Sequence, residues 1–274
     1  MNINRGAIAL ALSVSIASVN VQAQDAHPFL DSTFIFGAGA FFPTQGLDLE
    51  ANGTIPGDDI DFDSALGVDD SQVTPVVSLR WNMTDRWSMW GLWWKTSSSG
   101  SETLDEDIVW DDITFKAGTN IEAGADTDVL RFLIGYELVS GPQYEFGIGI
   151  GMHWMDLSAY IQGQVLTDMG ESDFRRGEAS VNGPLPDVGA WYFYSPSARW
   201  LLTARVDWFS ASVGKYDGSL WDAAVGANYQ LSEHFGIALE YVFFSLDVNI
   251  DDGDWQGGAK VRNNGPVLAL TANW

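Results

Sequence analysis

The chain has 274 residues, of which 46% are hydrophobic, and it carries a formal net charge of -24. This excess of acidic residues argues against nucleic-acid binding, which requires a basic face. The absence of cysteine excludes disulfides, thiolate metal sites, a cysteine nucleophile and a lipoprotein anchor.

The first 23 residues have the pattern of a secretory signal. Arg5 supplies a charged start, residues 7–19 form an apolar core interrupted only by serine, and residues 21–23 form a small-residue cleavage site. We therefore expect residues 1–23 to be a signal peptide and residues 24–274 to form a single domain. No other stretch reaches the roughly 18 apolar residues of a transmembrane helix.

Ten segments of the remaining chain alternate large apolar residues with small or polar ones, which is the period of a β-strand with one apolar face. In residues 86–96 tryptophans stand at both parities, so the faces of that segment are ambiguous. The predicted strands are residues 32–42, 72–81, 86–96, 126–139, 144–154, 188–194, 200–208, 221–230, 235–243 and 266–274.

The connections between these strands alternate in length. Short turns at 82–85, 140–143, 195–199 and 232–234 alternate with longer segments at 43–71, 97–125, 157–187, 213–219 and 248–262. A soluble sandwich or lipocalin-like barrel would also alternate along its strands, but aromatics near the strand ends favour a membrane barrel. The predicted fold is all-β, a closed antiparallel up-and-down transmembrane β-barrel of about ten strands, with eight as the alternative. Short turns would face the periplasm, and long acidic loops would be extracellular.

The final alternating run, Leu268-x-Leu270-x-Ala272-x-Trp274, together with the signal segment and the repeated hairpins, resembles the small outer-membrane β-barrel superfamily. That group includes OmpA-type and OmpW-type domains, which have eight strands. The resemblance implies the outer membrane of a Gram-negative bacterium, with the lipid bilayer and lipopolysaccharide as surroundings. It also implies that Leu268, Leu270 and Trp274 are read by the outer-membrane assembly machinery, for which phenylalanine is the usual last residue.

Charged residues stand on the polar parity of the predicted strands and would point into the lumen. Both signs are present, so a salt-bridge network is expected, because a buried charge must be paired. The alternative is the lining of a narrow channel for small solutes. The predicted network consists of Arg80, Arg131, Glu137, Glu145, His153, Arg205, Asp207, Asp222 and Glu240.

Gly147, Gly149 and Gly151 share the lumen face of one strand. No helix follows them, so they do not form a phosphate loop. Their missing side chains are expected to leave room for a neighbour such as Arg131.

His153 is also the centre of the enzymatic alternative. With Glu145, Asp207 and either Ser158 or Ser210, it would form a lumenal or rim site of a lipid-modifying hydrolase. The sequence lacks a G-x-S-x-G motif, and no serine stands at motif spacing from the histidine. We predict a non-enzymatic barrel with a structural or narrow-channel role, no catalytic residue and no cofactor, and we retain the hydrolase as the alternative.

The predicted extracellular loops are strongly acidic. Asp59, Asp61 and Asp63 have the spacing of a calcium loop, but Ser64 and Asp70 stand where an EF-hand needs Gly and Glu. The loops are expected to be a solvated acidic surface, or alternatively to bind divalent cations weakly and bridge them to lipopolysaccharide.

Overall fold

A computed structural model describes residues 26–50, 60–61, 73–105, 107–110, 113–166, 172–213, 216–251 and 256–274. The predicted signal peptide lies outside the described residues, as do Asp59 and Asp63. Within the described ranges, no helix is long and apolar enough to cross a membrane. One short helix, α1, covers Pro28–Asp31.

The remaining elements in the described ranges are strands. In chain order they are β1 (Phe34–Phe41), β2 (Thr44–Glu50), β3 (Ile60–Asp61), β4 (Thr74–Asn82), β5 (Trp87–Thr103), β6 (Ile108–Trp110), β7 (Ile113–Phe115), β8 (Asn120–Gly141), β9 (Tyr144–Leu166), β10 (Ser172–Ser197), β11 (Trp200–Val213), β12 (Tyr216–Gln230), β13 (Phe235–Asp251) and β14 (Gln256–Asn273).

Ten of these strands form a closed antiparallel ring. Neighbours pair in the order β1, β4, β5, β8 and then β9 to β14. The ring closes where β14 returns to β1, with Ile35 opposite Asn273 and Phe41 opposite Val267. The ten-strand prediction is confirmed, and the eight-strand alternative is wrong. Outside the ring, β2 continues along β14, β3 pairs with β2, and β6 pairs with β7.

The outward face of the ring is an apolar belt between two bands of aromatic residues. On β8 the belt runs from Leu130 to Leu138, and nine residues at ~3.3 Å each, tilted by ~40°, span roughly 23 Å, near the ~25 Å of an outer-membrane belt. Trp87 and Trp93 face the lipid, while Trp90 and Trp94 point inward, which resolves the ambiguous segment. The periplasmic band contains Trp81, Trp87, Tyr136, Tyr144, Tyr194, Trp200, Tyr229, Phe235 and Trp274, and the other band contains Trp93, Trp154, Trp208 and Trp221. The protein is an integral outer-membrane β-barrel.

Beyond the belt the strands continue as two sheets. One is formed by β5, β8, β9 and β10, and we call it the extracellular wall, while the other is formed by the ends of β11 to β14 together with β2. The predicted loops 97–125 and 157–187 are largely wrong, because β8 begins at Asn120, β9 ends at Leu166 and β10 begins at Ser172. Most of the predicted loops 213–219 and 248–262 is likewise strand, since β12 begins at Tyr216, β13 ends at Asp251 and β14 begins at Gln256. In the wall, successive side chains still alternate between the two faces, but the chemical character of each face is reversed. Polar residues face outward and apolar residues face inward, as water replaces lipid outside. The inward set includes Ile121, Ala123, Ala125, Leu157, Ala159 and Ile161.

The β6–β7 hairpin covers the inner face of this wall. Trp110 and Phe115 are almost fully buried there against Ile121 and Ile161. The wall rises about 20 Å above the belt if its strands keep the same tilt. It is therefore a packed extracellular layer with its own apolar core.

Candidate functional site in the lumen

Two arginines and two aspartates form the centre of the lumen. Arg131 donates from Nε and Nη2 to the two carboxylate oxygens of Asp207, at 2.7 and 2.8 Å. Nη1 of Arg205 lies 2.9 Å from Asp222 and 3.3 Å from Asp207. Each carboxylate is thus held by at least one guanidinium, and the bidentate pair is the stronger kind of charge-assisted contact.

His153 extends this group through both ring nitrogens. Its Nδ1 lies 2.8 Å from Asp187 and its Nε2 lies 3.2 Å from Asp222, and the ring is fully buried. With both carboxylates ionised, each can only accept, so both ring nitrogens donate and the ring is an imidazolium. In this state His153 adds a positive charge to the network and has no free lone pair.

Glycines on the lumen face make room for this network. A Cβ at Gly151 would lie 2.6 Å from Oδ1 of Asp187, and the space beside Gly147 and Gly149 is filled by Trp191 and Leu133. The expectation that Arg131 occupies this room is wrong. The glycines instead admit Asp187 and two bulky apolar side chains from neighbouring strands.

A second charged group lies nearer the periplasm. Nη2 of Arg80 contacts Glu145 at 2.6 Å, and the indole nitrogen of Trp191 donates to the same carboxylate. The guanidinium lies 4.8 Å from the ring centroid of Trp90 and 5.4 Å from that of Phe193. Paired charge and aromatic rings together fill this level of the barrel, with cation–π attraction at desolvated faces.

The segment before β1 enters the periplasmic mouth and covers part of it, beside an open cleft of about 600 Å³. The backbone nitrogen of His27 donates to Oγ of Ser195 at 3.0 Å, while Nδ2 of Asn82 donates to the carbonyl oxygen of Ser32 at 2.8 Å. Phe29 packs edge-on against Phe193. Burial lowers the pKa of the His27 imidazole to about 4, and the nearby side chain of Asn228 acts in the opposite direction. We call residues 26–32 the N-terminal plug.

An apolar core fills the lumen on the extracellular side of the charged centre. Its buried members come from most strands of the ring, so facing walls meet across the interior. They include Phe41, Val76, Trp94, Val129, Met155, Leu157, Leu220, Val242, Phe244, Leu246, Val261 and Val267.

Most of the predicted network residues lie together in the lumen. Arg80, Arg131, Glu145, His153, Arg205, Asp207 and Asp222 all point inward and form ion pairs. Glu240 also points inward, but its recorded partner is the hydroxyl of Thr203 at 3.2 Å. Glu137 is not part of the network. It lies beside a register shift of β8 near the periplasmic end, where its backbone nitrogen bonds to the carbonyl oxygen of Arg86.

Asp187 is the network residue that the sequence did not predict. It lies in the predicted loop 157–187, although Asp187 shares its parity with Gly189 and Trp191, which both face inward. The N-terminal plug was also missed. The sequence only places His27 near the start of the predicted mature chain.

The parts of the hydrolase alternative are not brought together. Ser158 and Ser210 stand at the outward parity of β9 and β11, opposite in direction to His153 and Asp207. A general base needs a nitrogen that can reach its substrate, and both ring nitrogens of His153 already contact carboxylates. Neither serine can therefore receive activation from this histidine.

The described carboxylates offer one geometric cluster for a metal ion, with ligand atoms of His153, Asp207 and Asp222 within 4.8 Å of one another. Arg131 and Arg205 contact the same carboxylates and already supply the positive charge there. Residues Asp48 and Asp61 stand opposite each other on β2 and β3, and this pairing is all that is described of the acidic motif. The lumen group fits an internal salt-bridge network better than a metal site.

Comparison with known proteins adds to the fold assignment. No family model and no curated protein matches the sequence. The outer-membrane protease OmpT of Escherichia coli is similar in structure, with a TM-score of 0.58 and 12% identity over 88% of this chain and 97% of that one. The translocator domain of the autotransporter NalP from Neisseria meningitidis gives 0.47 and 11% over 90% and 91%. The Pseudomonas putida toluene transporter TodX gives 0.41 and 8% over 90% and 92%.

Proposed function

We propose that this protein is a non-enzymatic outer-membrane barrel with a closed lumen, and that it serves a structural role by anchoring the extracellular wall. The observation that carries the proposal is the filling of the lumen by three successive layers. These are the N-terminal plug with the Arg80 cluster, the charged centre around Arg131 and Asp207, and the apolar core around Phe244.

The layers favour the structural role over a narrow channel. Ten strands are close to the eight at which side chains fill a barrel completely. The charged centre is internally paired, so few of its charges are left to attract a passing solute. The apolar core would additionally oppose the passage of ions, which lose hydration there.

The doubly hydrogen-bonded His153 argues against the hydrolase alternative. Its nitrogens are both engaged, and both candidate serines stand at the opposite parity. The likeness to a protease concerns the fold, and fold alone does not carry an activity. A hydrolase would need a site other than the His153 cluster.

Planar-bilayer recordings of the refolded protein test the closed lumen. We expect no steady single-channel conductance, with a conducting porin reconstituted in the same way as the positive control. The variant Phe29→Ser loosens the periplasmic layer alone and should also be silent, because two layers remain above it. Steady conductance of the unmodified protein would overturn the closed-barrel proposal in favour of a channel.

A parallel screen tests the absence of catalysis. The refolded protein and its His153→Ala variant are assayed for ester, phospholipid and peptide hydrolysis. We expect both to match the detergent blank. An activity that is present in the unmodified protein and lost in a folded His153→Ala variant would establish the hydrolase instead.

We also propose that lipopolysaccharide surrounds the wall and that divalent cations bridge the two. Just above the belt, Asp128 and Asp156 are directly opposite each other on the outward face. Like charges at this spacing repel, and Ca²⁺ or Mg²⁺ would relieve the repulsion. In lipopolysaccharide bilayers, Ca²⁺ should raise the unfolding temperature relative to chelator, and Asp156→Asn should reduce that gain. An equal gain in both proteins would contradict the bridge.

A further inference from the structure

The lumen contains a cavity of about 130 Å³ between the Arg80 cluster and the apolar core. Phe29 of the N-terminal plug lines it from the periplasmic side, and Phe41 and Trp94 line it from the side of the apolar core. Alanine, valine and leucine side chains form much of the remaining wall, together with polar residues that include Ser78, Asn228 and Thr271. Arg131 and Arg205 also line the cavity, and both guanidinium groups are already paired with the carboxylates of Asp207 or Asp222. A cavity of similar size, about 150 Å³ and wholly apolar, holds one benzene ring.

The charge around this cavity is unbalanced by one carboxylate. Counting His153 as a cation, the inward cations of the charged groups are Arg80, Arg131, Arg205 and His153, against the carboxylates of Glu145, Asp187, Asp207, Asp222 and Glu240. Every carboxylate in this set except Glu240 forms an ion pair in the described structure.

Glu240 lies on the wall of the cavity and is only partly buried. Its hydrogen-bond partner is the hydroxyl of Thr203, which is neutral, and Arg205 acts on it only at longer range. Gly226 on the neighbouring strand makes room for it, because a Cβ there would lie 2.6 Å from Cγ of Glu240. The carboxylate of Glu240 thus lies at the wall of the cavity, and it can accept a further hydrogen bond.

A second polar group of the lining is also incompletely bonded. Arg80 is 4% exposed, and while its Nε and Nη2 donate to Asn82 and Glu145, its Nη1 is buried with no hydrogen-bond partner in the described structure. A buried donor without a partner costs free energy. The cavity therefore presents one unfilled acceptor for a cation and one unfilled donor for an oxygen. The rest of its wall is apolar, aromatic or neutral polar, apart from the paired guanidinium groups of Arg131 and Arg205.

We propose that this cavity binds a small organic cation of single-ring size, with its ammonium group at Glu240 and an oxygen acceptor toward Arg80. The ammonium restores the charge balance of the lumen, and the ring replaces water against the apolar walls. Since Phe29 lines the cavity, the ligand enters from the periplasm when the N-terminal plug moves, or it is enclosed as the barrel folds.

Three probe molecules test the proposal, and the protein is refolded in the presence of each. 4-Hydroxybenzylamine carries both groups, benzylamine lacks the oxygen, and 4-hydroxybenzyl alcohol lacks the ammonium. Retention after removal of free probe is measured by mass spectrometry, and affinity by titration calorimetry. We expect 4-hydroxybenzylamine to bind most tightly, and the alcohol about tenfold more weakly, as for the loss of one charged hydrogen bond.

Two variants connect binding to the cavity. Glu240→Gln should abolish the preference for the ammonium probe while leaving the alcohol nearly unchanged. Ala269→Leu fills the cavity from its apolar side and should weaken all three probes. Heat-modifiable migration confirms that each variant is folded. The proposal is overturned if no probe binds the unmodified protein, which would leave only water in the cavity, or if Ala269→Leu and Glu240→Gln bind 4-hydroxybenzylamine as well as the unmodified protein does.

Discussion

Asp187 and His153 meet in a 2.8 Å hydrogen bond, although they stand on different strands and 34 residues apart. The contact connects Asp187, which lies where β10 enters the belt, to the charged centre of the lumen. Through His153 it also joins Asp187 to Asp222, so one imidazolium holds two carboxylates from strands that are not adjacent in the ring.

Removing this imidazolium should be strongly destabilising. His153→Ala leaves two buried carboxylates short of a partner, and the loss of one member of a buried ion pair costs about 3–5 kcal/mol. Urea unfolding in micelles measures the effect. The double variant His153→Ala/Asp187→Asn should recover part of the loss, because it removes one of the stranded charges. A loss no greater than that of His234→Ala, in a periplasmic turn, would show that the network contributes little.

Glycine positions on the lumen face should be intolerant of a methyl group. Gly151→Ala places a Cβ 2.6 Å from the Asp187 carboxylate, and overpacking of this kind costs about 1–3 kcal/mol. Gly91→Ala is the matched control, because a Cβ there meets nothing within 4 Å. It should be neutral or slightly stabilising. Equal unfolding midpoints for the two variants would contradict the packing described here.

Acid should release the N-terminal plug. His27 has a folded pKa of about 4 against 6.5 for the free side chain, so its neutral form is favoured in the docked plug. This contribution is fully present above pH 6.5 and is lost as the pH falls from 6.5 toward 4. The chain has no cysteine, so a fluorophore on Ala26→Cys reports docking directly. We expect its emission to change over that range, and His27→Gln to remove the change.

The C-terminal residue should matter for assembly beyond its place at the interface. Trp274 and Trp87 are similarly exposed, at 53% and 47%, in the periplasmic aromatic band. A charge at such depth costs only about 0–1 kcal/mol. Trp274→Asp should nevertheless block insertion in cells, whereas Trp87→Asp should insert. Equal insertion of both would show that Trp274 acts only as an interfacial residue.

The sequence predicts the ring well because lipid imposes one rule on every strand. Wherever large apolar residues alternate with small ones, as in residues 144–154, the prediction of the strand and its lumen face is confirmed. The rule stops at the edge of the lipid. In Asp156–Ile161 the outward residues become polar and the inward ones apolar. The pattern of outward apolar residues therefore predicts a loop here, although the strand continues.

The individual pairings of the charged centre could not be predicted in the same way. Parity places Arg131, Asp207 and Asp222 in the lumen, but which carboxylate meets which guanidinium depends on strand register and tilt. Glu137 has the same sequence parity as its neighbours and pairs in register with Gly147, but it lies near the periplasmic end of β8, where no ion pair with Arg80 or Arg131 is described. Parity alone does not indicate how far along the barrel axis one charge lies from another.

The prolines of β10 have a consequence for crowding in the membrane. Pro184 and Pro186 keep their register with β9, and between Ser172 and Asp187 the described residues give β10 no partner on its other side. Since proline has no amide hydrogen, its nitrogen is tolerated on the unpaired side of a strand, and there it cannot donate a hydrogen bond to an added strand. We therefore expect Pro184 and Pro186 to disfavour strand pairing between two copies at this part of the edge.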